Sequence, residues 1–332
     1  MATVAGRLTE GLRVAAAGLY GQAWELRRRA YAAGLSRQHH VAARVVSIGN
    51  LTVGGTGKTT LVLHLAERAR ALGVRAAVVC RNYRPGPGGL GDEARLYHAR
   101  LGTERVFAGR HKRTLAAAAA HAGFAHVLVD DGFSHWPLAR DLDVVLLDAS
   151  DLWGGGALLP RGRLREPRRA LQRAGVVVVT RLGPTEDPAP LLAEVQRYAP
   201  AAELGAARHR VVAERPHAPS ASGGDAPAPR RARVVTATGN PAAVAKSARE
   251  AGFEVVEISA YRNHHWFRPH ETRHETEQAA RTGATLLLTA KDAVRWPVAP
   301  TAAPIRVLEV AWEWVCGGEA VEKRVFAAPE VA

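Results

Sequence analysis

Lysine and cysteine are scarce in this chain, and each scarcity excludes something. Only five of its 45 basic residues are lysine (Lys58, Lys112, Lys246, Lys291 and Lys323), so a lysine inside a motif stands out from its background. The two cysteines, Cys80 and Cys316, show no metal-type spacing. Neither a disulfide framework nor a cysteine zinc site follows, and a reducing compartment is the expectation. No apolar run reaches the roughly 18 to 20 residues a spanning helix requires. Arg7, Glu10 and Arg13 interrupt the first apolar residues, which excludes a cleavable signal pattern there. Together these absences predict a protein made and kept inside the cell.

What is present is enough hydrophobic material for a core. Of 332 residues, 47% are hydrophobic and 23% charged, which allows one large domain or two ordinary ones. The formal net charge is +14, nearly all from arginine. Such a charge attracts anionic partners: a nucleotide, a nucleic acid or an acidic membrane surface.

The first 35 residues read as one amphipathic helix. Leu8, Leu12, Ala15, Leu19, Ala23 and Leu26 recur at helical spacing, with Arg13 and Arg27-Arg28-Arg29 on the polar face. A basic amphipathic helix with Tyr20 and Trp24 nearby can lie in a membrane interface or pack on its own domain. From Ala42 onward, apolar strands alternate with helical stretches. Strands are expected at Arg44–Ile48, Arg75–Cys80, Val127–Asp130, Val144–Asp148 and Val176–Thr180, with helices at Lys58–Leu72, Asp92–Leu101 and His111–Ala122. This order predicts a mostly parallel sheet with helices on both faces. Pro216, Pro219, Gly223, Gly224, Pro227 and Pro229 then predict a linker, placed at residues 206–232. Beyond it, strands near Arg233–Thr238, Glu254–Ile258, Thr285–Thr289 and Arg306–Val310 predict a smaller second α/β lobe. The expected division is a helix at 1–37, a nucleotide-binding and catalytic domain at 38–205, and the second domain at 233–332.

Thr52-Val53-Gly54-Gly55-Thr56-Gly57-Lys58-Thr59 carries the chemistry. It follows a strand and opens a helix, the setting of a P-loop. The glycines let successive amides turn toward phosphate oxygens, and the helix N-terminus adds its positive end. Lys58 would reach the β- and γ-phosphates, and the Thr59 hydroxyl would ligate magnesium. The strict G-x-x-x-x-G-K-[ST] pattern has Thr52 in place of its first glycine. Val53 stands where ATPases that reach across a dimer carry a leading lysine, so that group is disfavoured.

A P-loop needs an acidic partner for its metal at a neighbouring strand end. Asp130-Asp131-Gly132 closes an apolar strand and supplies it, with His135 following; Asp148 reads as structural or second to these. Asp92 and Glu93 open a helix, either as charges complementing its dipole or as a base for an attacking hydroxyl. The His264-His265 pair lacks a third ligand of metal spacing, so a histidine orienting a carboxylate is the functional reading, beside that of hydrogen-bonded loop histidines. The basic run Arg161–Arg169 either clamps a phosphate or is solvated charge. It has no interleaved aromatics, which argues against single-stranded nucleic acid.

In this order the segments resemble the tetraacyldisaccharide 4'-kinase family, the lipid A 4'-kinases of Gram-negative bacteria. The likeness runs through Leu19-Tyr20-Gly21, Arg27–Tyr31, Ser47–Thr59, Gly91-Asp92-Glu93, Asp130–His135 and Leu158-Leu159-Pro160 to Leu164–Pro167. It resumes at Gly239-Asn240-Pro241, His264-His265 and Thr289–Val294. The resemblance implies two α/β/α lobes at the cytoplasmic face of the inner membrane. It also implies transfer of the ATP γ-phosphate to the 4'-hydroxyl of a tetraacylated glucosamine disaccharide 1-phosphate. By resemblance Asp92 is the base and His264 its orienting partner from the other lobe. Thr59, Asp130, Asp131 and Glu93 surround Mg2+, and Arg113, His135, Arg165 and Glu166 line the acceptor cleft. The amphipathic helix then leans toward the membrane, and the net charge toward anionic lipid rather than nucleic acid. The chain departs from the family at Thr60 (usually proline), Ser134 (glutamine), Asn263 (aspartate) and Ala290 (glutamate).

Overall fold

A computed structural model describes residues 4–217, 230–297 and 302–328. The chain forms two compact units. One comprises the residues up to Cys80, Glu104–Arg208 and those from Glu313 onward; the other comprises Arg81–Thr103 and His209–Trp312.

In the first unit the strands are β1 (Arg44–Asn50), β2 (Ala76–Arg81), β3 (Val106–Gly109), β4 (His126–Asp130), β5 (Leu142–Asp148), β6 (Val176–Thr180) and the start of β7 (Glu203–Pro216). They lie in the order β3-β2-β4-β1-β5-β6-β7. β1 runs parallel to β4, with Val46 opposite Leu128, and parallel to β5, with Ile48 opposite Val144. Every residue of β1, β4 and β6 is buried. Their valine-rich runs without alternation are the signature of strands covered on both faces. Helices α1 (Val4–Ala32), α2 (Lys58–Ala71), α4 (Lys112–His121), α5 (Ala189–Gln196) and α9 (Gly318–Val325) belong to this unit; α3 (Asp92–Leu101) belongs to the other. Strands two to four lie on one side of β1 and strands five to seven on the other. The crevice of such a sheet opens beyond the C-terminal end of its reversal strand, where the glycine-rich loop begins.

The second unit carries β8 (Arg231–Thr236), β9 (Glu254–Ala260), β10 (Thr285–Thr289) and β11 (Ile305–Cys316) in the order β11-β10-β8-β9. Its further helices are α6 (Pro241–Glu250), α7 (Pro269–Arg281) and the short α8 (Ala290–Ala293). The Gly239-Asn240-Pro241 motif is a helix start: the Asn240 side chain accepts the Ala243 amide, and Pro241 sits where its missing N–H costs nothing. Glu275 on α7 is buried, where Arg233, Ser259 and Tyr261 all donate to it.

Three features differ from the sequence reading. Residues 206–216 of the expected linker belong to β7, whose arginines hide its pattern; Arg208 pairs with Glu313 at 2.5 Å and Arg215 with Glu309 at 2.6 Å. The proline- and glycine-rich remainder, 218–229, lies outside the described residues. Segment Arg81–Thr103 groups with the second unit although it lies within 38–205, so Asp92 and His264 share a unit. The chain end returns to the first unit, where Arg44 donates to the carbonyls of Arg324 and Val325.

Helix α1 has two unlike faces. Ala17 and Trp24 are buried, and Trp24 and Tyr31 pack on Trp136. Leu12, Leu19 and Leu26, also seven residues apart, are 71%, 67% and 71% exposed. The stripe read from sequence is therefore not the packed face; Leu8's side chain lies outside the described residues.

Candidate functional site

The phosphate-type loop begins where β1 ends. Asn50 Nδ2 donates to the Thr52 carbonyl at 2.8 Å, and its Oδ1 receives Lys58 Nζ at 2.9 Å. Gly54 and Gly57 adopt φ of 123° and 89°, which glycine tolerates and other residues resist. The Thr56 hydroxyl is buried without a partner among the described residues, and its carbonyl accepts from Thr180 at 2.9 Å. Val53 is 39% exposed. Thr59 follows Lys58 into the first turn of α2.

A second segment straps this loop. The Val53 amide donates to Arg163, the Arg165 amide donates to Leu51, and Thr52 bridges Leu164 as an antiparallel pair. Thr52 thus sits in a strand-like position. Gly154 packs against it, with φ of 55°, and a Cβ there would meet Thr52 Cγ2 at 2.7 Å. The bridge to Leu164 holds Thr52 extended, a conformation that needs no glycine.

Asp131 closes the cluster. Arg165 grips its carboxylate with both terminal nitrogens, at 3.1 and 2.8 Å, and also bonds Asn50; Lys58 Nζ lies 3.5 Å away. Asp131 has φ of 51°, and buried Lys112 donates to the carbonyls of Asp130 and Asp131, both at 2.6 Å. Burial pushes the Asp131 carboxyl upward, but Lys58, Arg165 and Lys112 outweigh it and hold the group well below the usual range. Asp131 is thus an anion that lends its charge to two cations of the cradle.

Around this cluster the other first-unit residues fall unevenly. Asp130 is buried at the end of β4. His135 Nε2 is buried without a partner among the described residues. Burial first, then Lys112 and Arg140, lower the His135 pKa to about 4, so its ring is neutral at pH 7. Glu166 is buried and bonded to Arg173 at 2.9 Å, and that guanidinium lies 4.3 Å from the ring centres of Phe133 and Trp136. Arg113 is not drawn into the cluster: its Nη1 contacts His39 Nε2 at 2.9 Å. Tyr20 of α1 donates to the Arg165 carbonyl at 2.8 Å, tying the helix to the strap.

The second unit builds a different arrangement around Asp92, the first residue of α3. Gly91 before it is compelled, because a Cβ there would lie 2.5 Å from the Tyr83 carbonyl. His264, at φ 62°, directs Nδ1 to both Asp92 oxygens at 3.0 and 2.9 Å, and Tyr83 packs edge-on against its ring. Arg295 approaches Asp92 at 3.4 Å, held in place by Asp292 at 2.6 Å and the Ala237 carbonyl. Asp292 in turn accepts from Thr236, Thr289 and the Ala237 amide. Burial raises the Asp92 pKa, but His264, Lys291 and Arg295 overcome it and bring it down to about 2. Glu93 is paired with Lys291 at 2.6 Å, which likewise lowers its pKa against burial. At the departures, Asn263 engages Arg84 through its main-chain carbonyl, and Ala290 packs against the unit's core.

Sequence reasoning missed Asn50, Lys112, Lys291, Arg295 and Tyr83. The rarity of lysine was a usable signal for two of them. Arg295 had none, being one arginine among many. Among the described residues, no group of three or more His, Cys, Asp or Glu is arranged to hold a metal by itself.

The model of the family "Tetraacyldisaccharide-1-P 4'-kinase" matches residues 11–328. Among curated relatives, "Tetraacyldisaccharide 4'-kinase" of Anaeromyxobacter sp. (strain Fw109-5) is 38% identical over 315 residues, covering 87% of this chain and 83% of the relative. Its namesake from Pseudomonas paraeruginosa (strain DSM 24068 / PA7) is 32% identical, covering 93% and 89%. Among solved structures, the "apo" form of LpxK from Aquifex aeolicus in complex with ATP aligns with a TM-score of 0.70 at 23% identity, covering 96% of this chain and 99% of that one.

Proposed function

The chain belongs to the tetraacyldisaccharide-1-P 4'-kinase family, and on that premise we propose how its residues divide the reaction. It is an ATP-dependent lipid kinase: the γ-phosphoryl group passes to the 4'-hydroxyl of tetraacyldisaccharide 1-phosphate, giving lipid IVA for lipid A biosynthesis. The observation that carries the division is the buried Asp92–His264 pair, which a nucleotide switch without an acceptor has no use for.

The cradle Thr52–Thr59 fits a triphosphate by its turned glycines, its helix N-terminus and the unpartnered Thr56 hydroxyl. Lys58 and Arg165 exchange part of their hold on Asp131 and Asn50 for phosphate oxygens. Magnesium neutralises charge on those phosphates when bound. The side chains that would hold it offer hydroxyl and carboxylate oxygens, the donors magnesium takes. Thr59, Asp130 and Asp131 are the donors that would hold it in the first unit, and Glu93 is assigned to it on the family resemblance alone. Arg165, Glu166, His135 and Arg113 are assigned to the acceptor.

Asp92 is the acceptor of the hydroxyl proton. A carboxylate of such low proton affinity first accepts a hydrogen bond from the hydroxyl and takes the proton late, which suits a loose phosphoryl-transfer transition state. His264 fixes the carboxylate's orientation, and Arg295 keeps it anionic.

We assign α1 to the membrane surface where the lipid resides, at the cytoplasmic face of the inner membrane. No helix among the described residues is long and apolar enough to cross a membrane. The exposed Leu12, Leu19 and Leu26 and the flanking arginines fit an interfacial helix on an anionic bilayer.

The test is transfer itself. Folded protein, labelled ATP, magnesium and tetraacyldisaccharide 1-phosphate in detergent micelles are expected to give a labelled lipid product. Protein that binds ADP yet labels no lipid would sink the reading.

A further inference from the structure

The nucleotide has a base as well as phosphates, and the glycine-rich cradle serves only the phosphates. One residue beside the cradle is not used by the phosphate chemistry: Arg181, immediately after β6. Its φ is 63°, a left-handed conformation that costs a branched or bulky residue strain and that glycine would adopt freely. Such strain persists where the surroundings over-determine it, and those places cluster at functional sites.

The surroundings are specific. β6 lies one strand beyond β5, which flanks β1, so the strand ends bearing the glycine-rich loop, Asp148 and Thr180-Arg181 stand side by side. These are C-terminal ends of parallel strands, the edge at which such sheets bind ligands. Fully buried Thr180 donates its hydroxyl to the Thr56 carbonyl, bracing the outside of the phosphate loop. Arg181 Nη1 is held by Asp148 at 2.7 Å, and both side chains are partly exposed. A Cβ placed on Gly55 would lie 3.5 Å from Arg181 Nη2, so the guanidinium stands beside the loop's bare glycine. The loop that follows is preformed: Glu186 receives the Gly183 amide and Asp187 the Ala189 amide. A guanidinium oriented by a carboxylate, planar and weakly hydrated, is suited to lie against a flat aromatic ring.

We propose that Arg181, oriented by Asp148 at the end of β6, is the platform against which the purine base of the bound nucleotide packs. The proposal rests on the nucleotide-site reading of Thr52–Thr59 and adds the part of the ligand that the cradle does not hold. A purely structural ion pair between neighbouring strand ends is the competing account.

The two are separated by comparing ligands with and without a base. Arg181→Gly is the variant of choice, because glycine keeps the left-handed backbone while removing the side chain; Arg181→Lys keeps charge without the plane. Calorimetric titration with ADP and with pyrophosphate, each with magnesium, reads the result, with thermal denaturation as a check on folding. The expected outcome is ADP binding weakened about tenfold in Arg181→Gly and partly restored in Arg181→Lys, with pyrophosphate binding within twofold of the parent. An unchanged ADP affinity overturns the proposal in favour of a structural pair. Equal loss of ADP and pyrophosphate overturns it in favour of a phosphate contact. Failure of the parent protein to bind either ligand would overturn the nucleotide-site reading as well, and pyrophosphate binding by the parent keeps the two failures apart.

Discussion

Each unit surrounds one aspartate with three basic side chains, yet the two clusters differ in how deeply they bury it. Asp131, with Lys58, Arg165 and Lys112, has a side chain 46% exposed; Asp92, with His264, Lys291 and Arg295, has one only 4% exposed. Ion pairs at a half-exposed carboxylate exchange more readily than those at a buried one, which are costly to break. On the proposed division of the reaction, the first cluster is a reservoir in which cations wait, charge-balanced, for phosphates that bind better. On the same reading, the second is a fixture that keeps one carboxylate anionic and aimed. Binding and proton transfer ask for these opposite qualities.

The sharpest way to break the comparison is to spoil the fixture's chemistry and leave its shape. Asp92→Asn is expected to lower kcat for lipid phosphorylation by about a thousandfold, within the usual range for loss of a positioned acid–base group. Steady-state assay of the purified variant reads this, and a loss below tenfold removes Asp92 from the base role.

Attacking the fixture's support should show in stability. Arg295 and Asp292 are both fully buried, so Arg295→Met strands a carboxylate and is expected to cost about 3 to 5 kcal/mol. Urea denaturation measures it, and a cost under about 1 kcal/mol would make the pair dispensable. In the cradle, Arg165→Lys keeps the charge and loses the two-pronged grip on Asp131. A roughly tenfold fall in kcat/KM with stability nearly unchanged is expected, matching the loss of one charge-assisted bond.

The smallest effect is on pH dependence. Asp92 has a folded-state pKa of about 2, below its unfolded value of about 3.9, so it contributes stability that is present above pH 4 and lost as pH falls through 2. The stability gap between parent and Asp92→Asn should narrow by roughly 2 kcal/mol between pH 5 and pH 2, as read by denaturant titration. A gap independent of pH would mean that the carboxylate is not stabilised as an anion.

These two clusters also differ in how far they could be read beforehand. The cradle was legible because its parts are contiguous: Thr52–Thr59 between a strand and a helix, and Asp130-Asp131 at the end of another strand. Lys112 was visible only as a rare lysine, since its partners are main-chain carbonyls that no side-chain pattern records. The fixture joins positions about 170 to 200 residues apart, and only the family resemblance linked Asp92 to His264. In its outer support Lys291 stood out only as a rare lysine within Thr289–Val294, and Arg295 carries no local signature. The helix at the start was read from its leucine stripe, but the face it packs carries Ala17, Trp24 and Tyr31, at the same seven-residue spacing as the exposed Leu12, Leu19 and Leu26. β7 was hidden because arginines interrupt its apolar pattern and are answered by glutamates on β11.

The division of labour is tested most directly by ADP affinity, measured side by side in Lys58→Met and Asp92→Asn. The account predicts at least tenfold weaker binding in Lys58→Met, as expected for about 1.4 kcal/mol or more of lost phosphate contact, and no more than a twofold change in Asp92→Asn. Equal weakening in both variants, or weakening in Asp92→Asn alone, would contradict it.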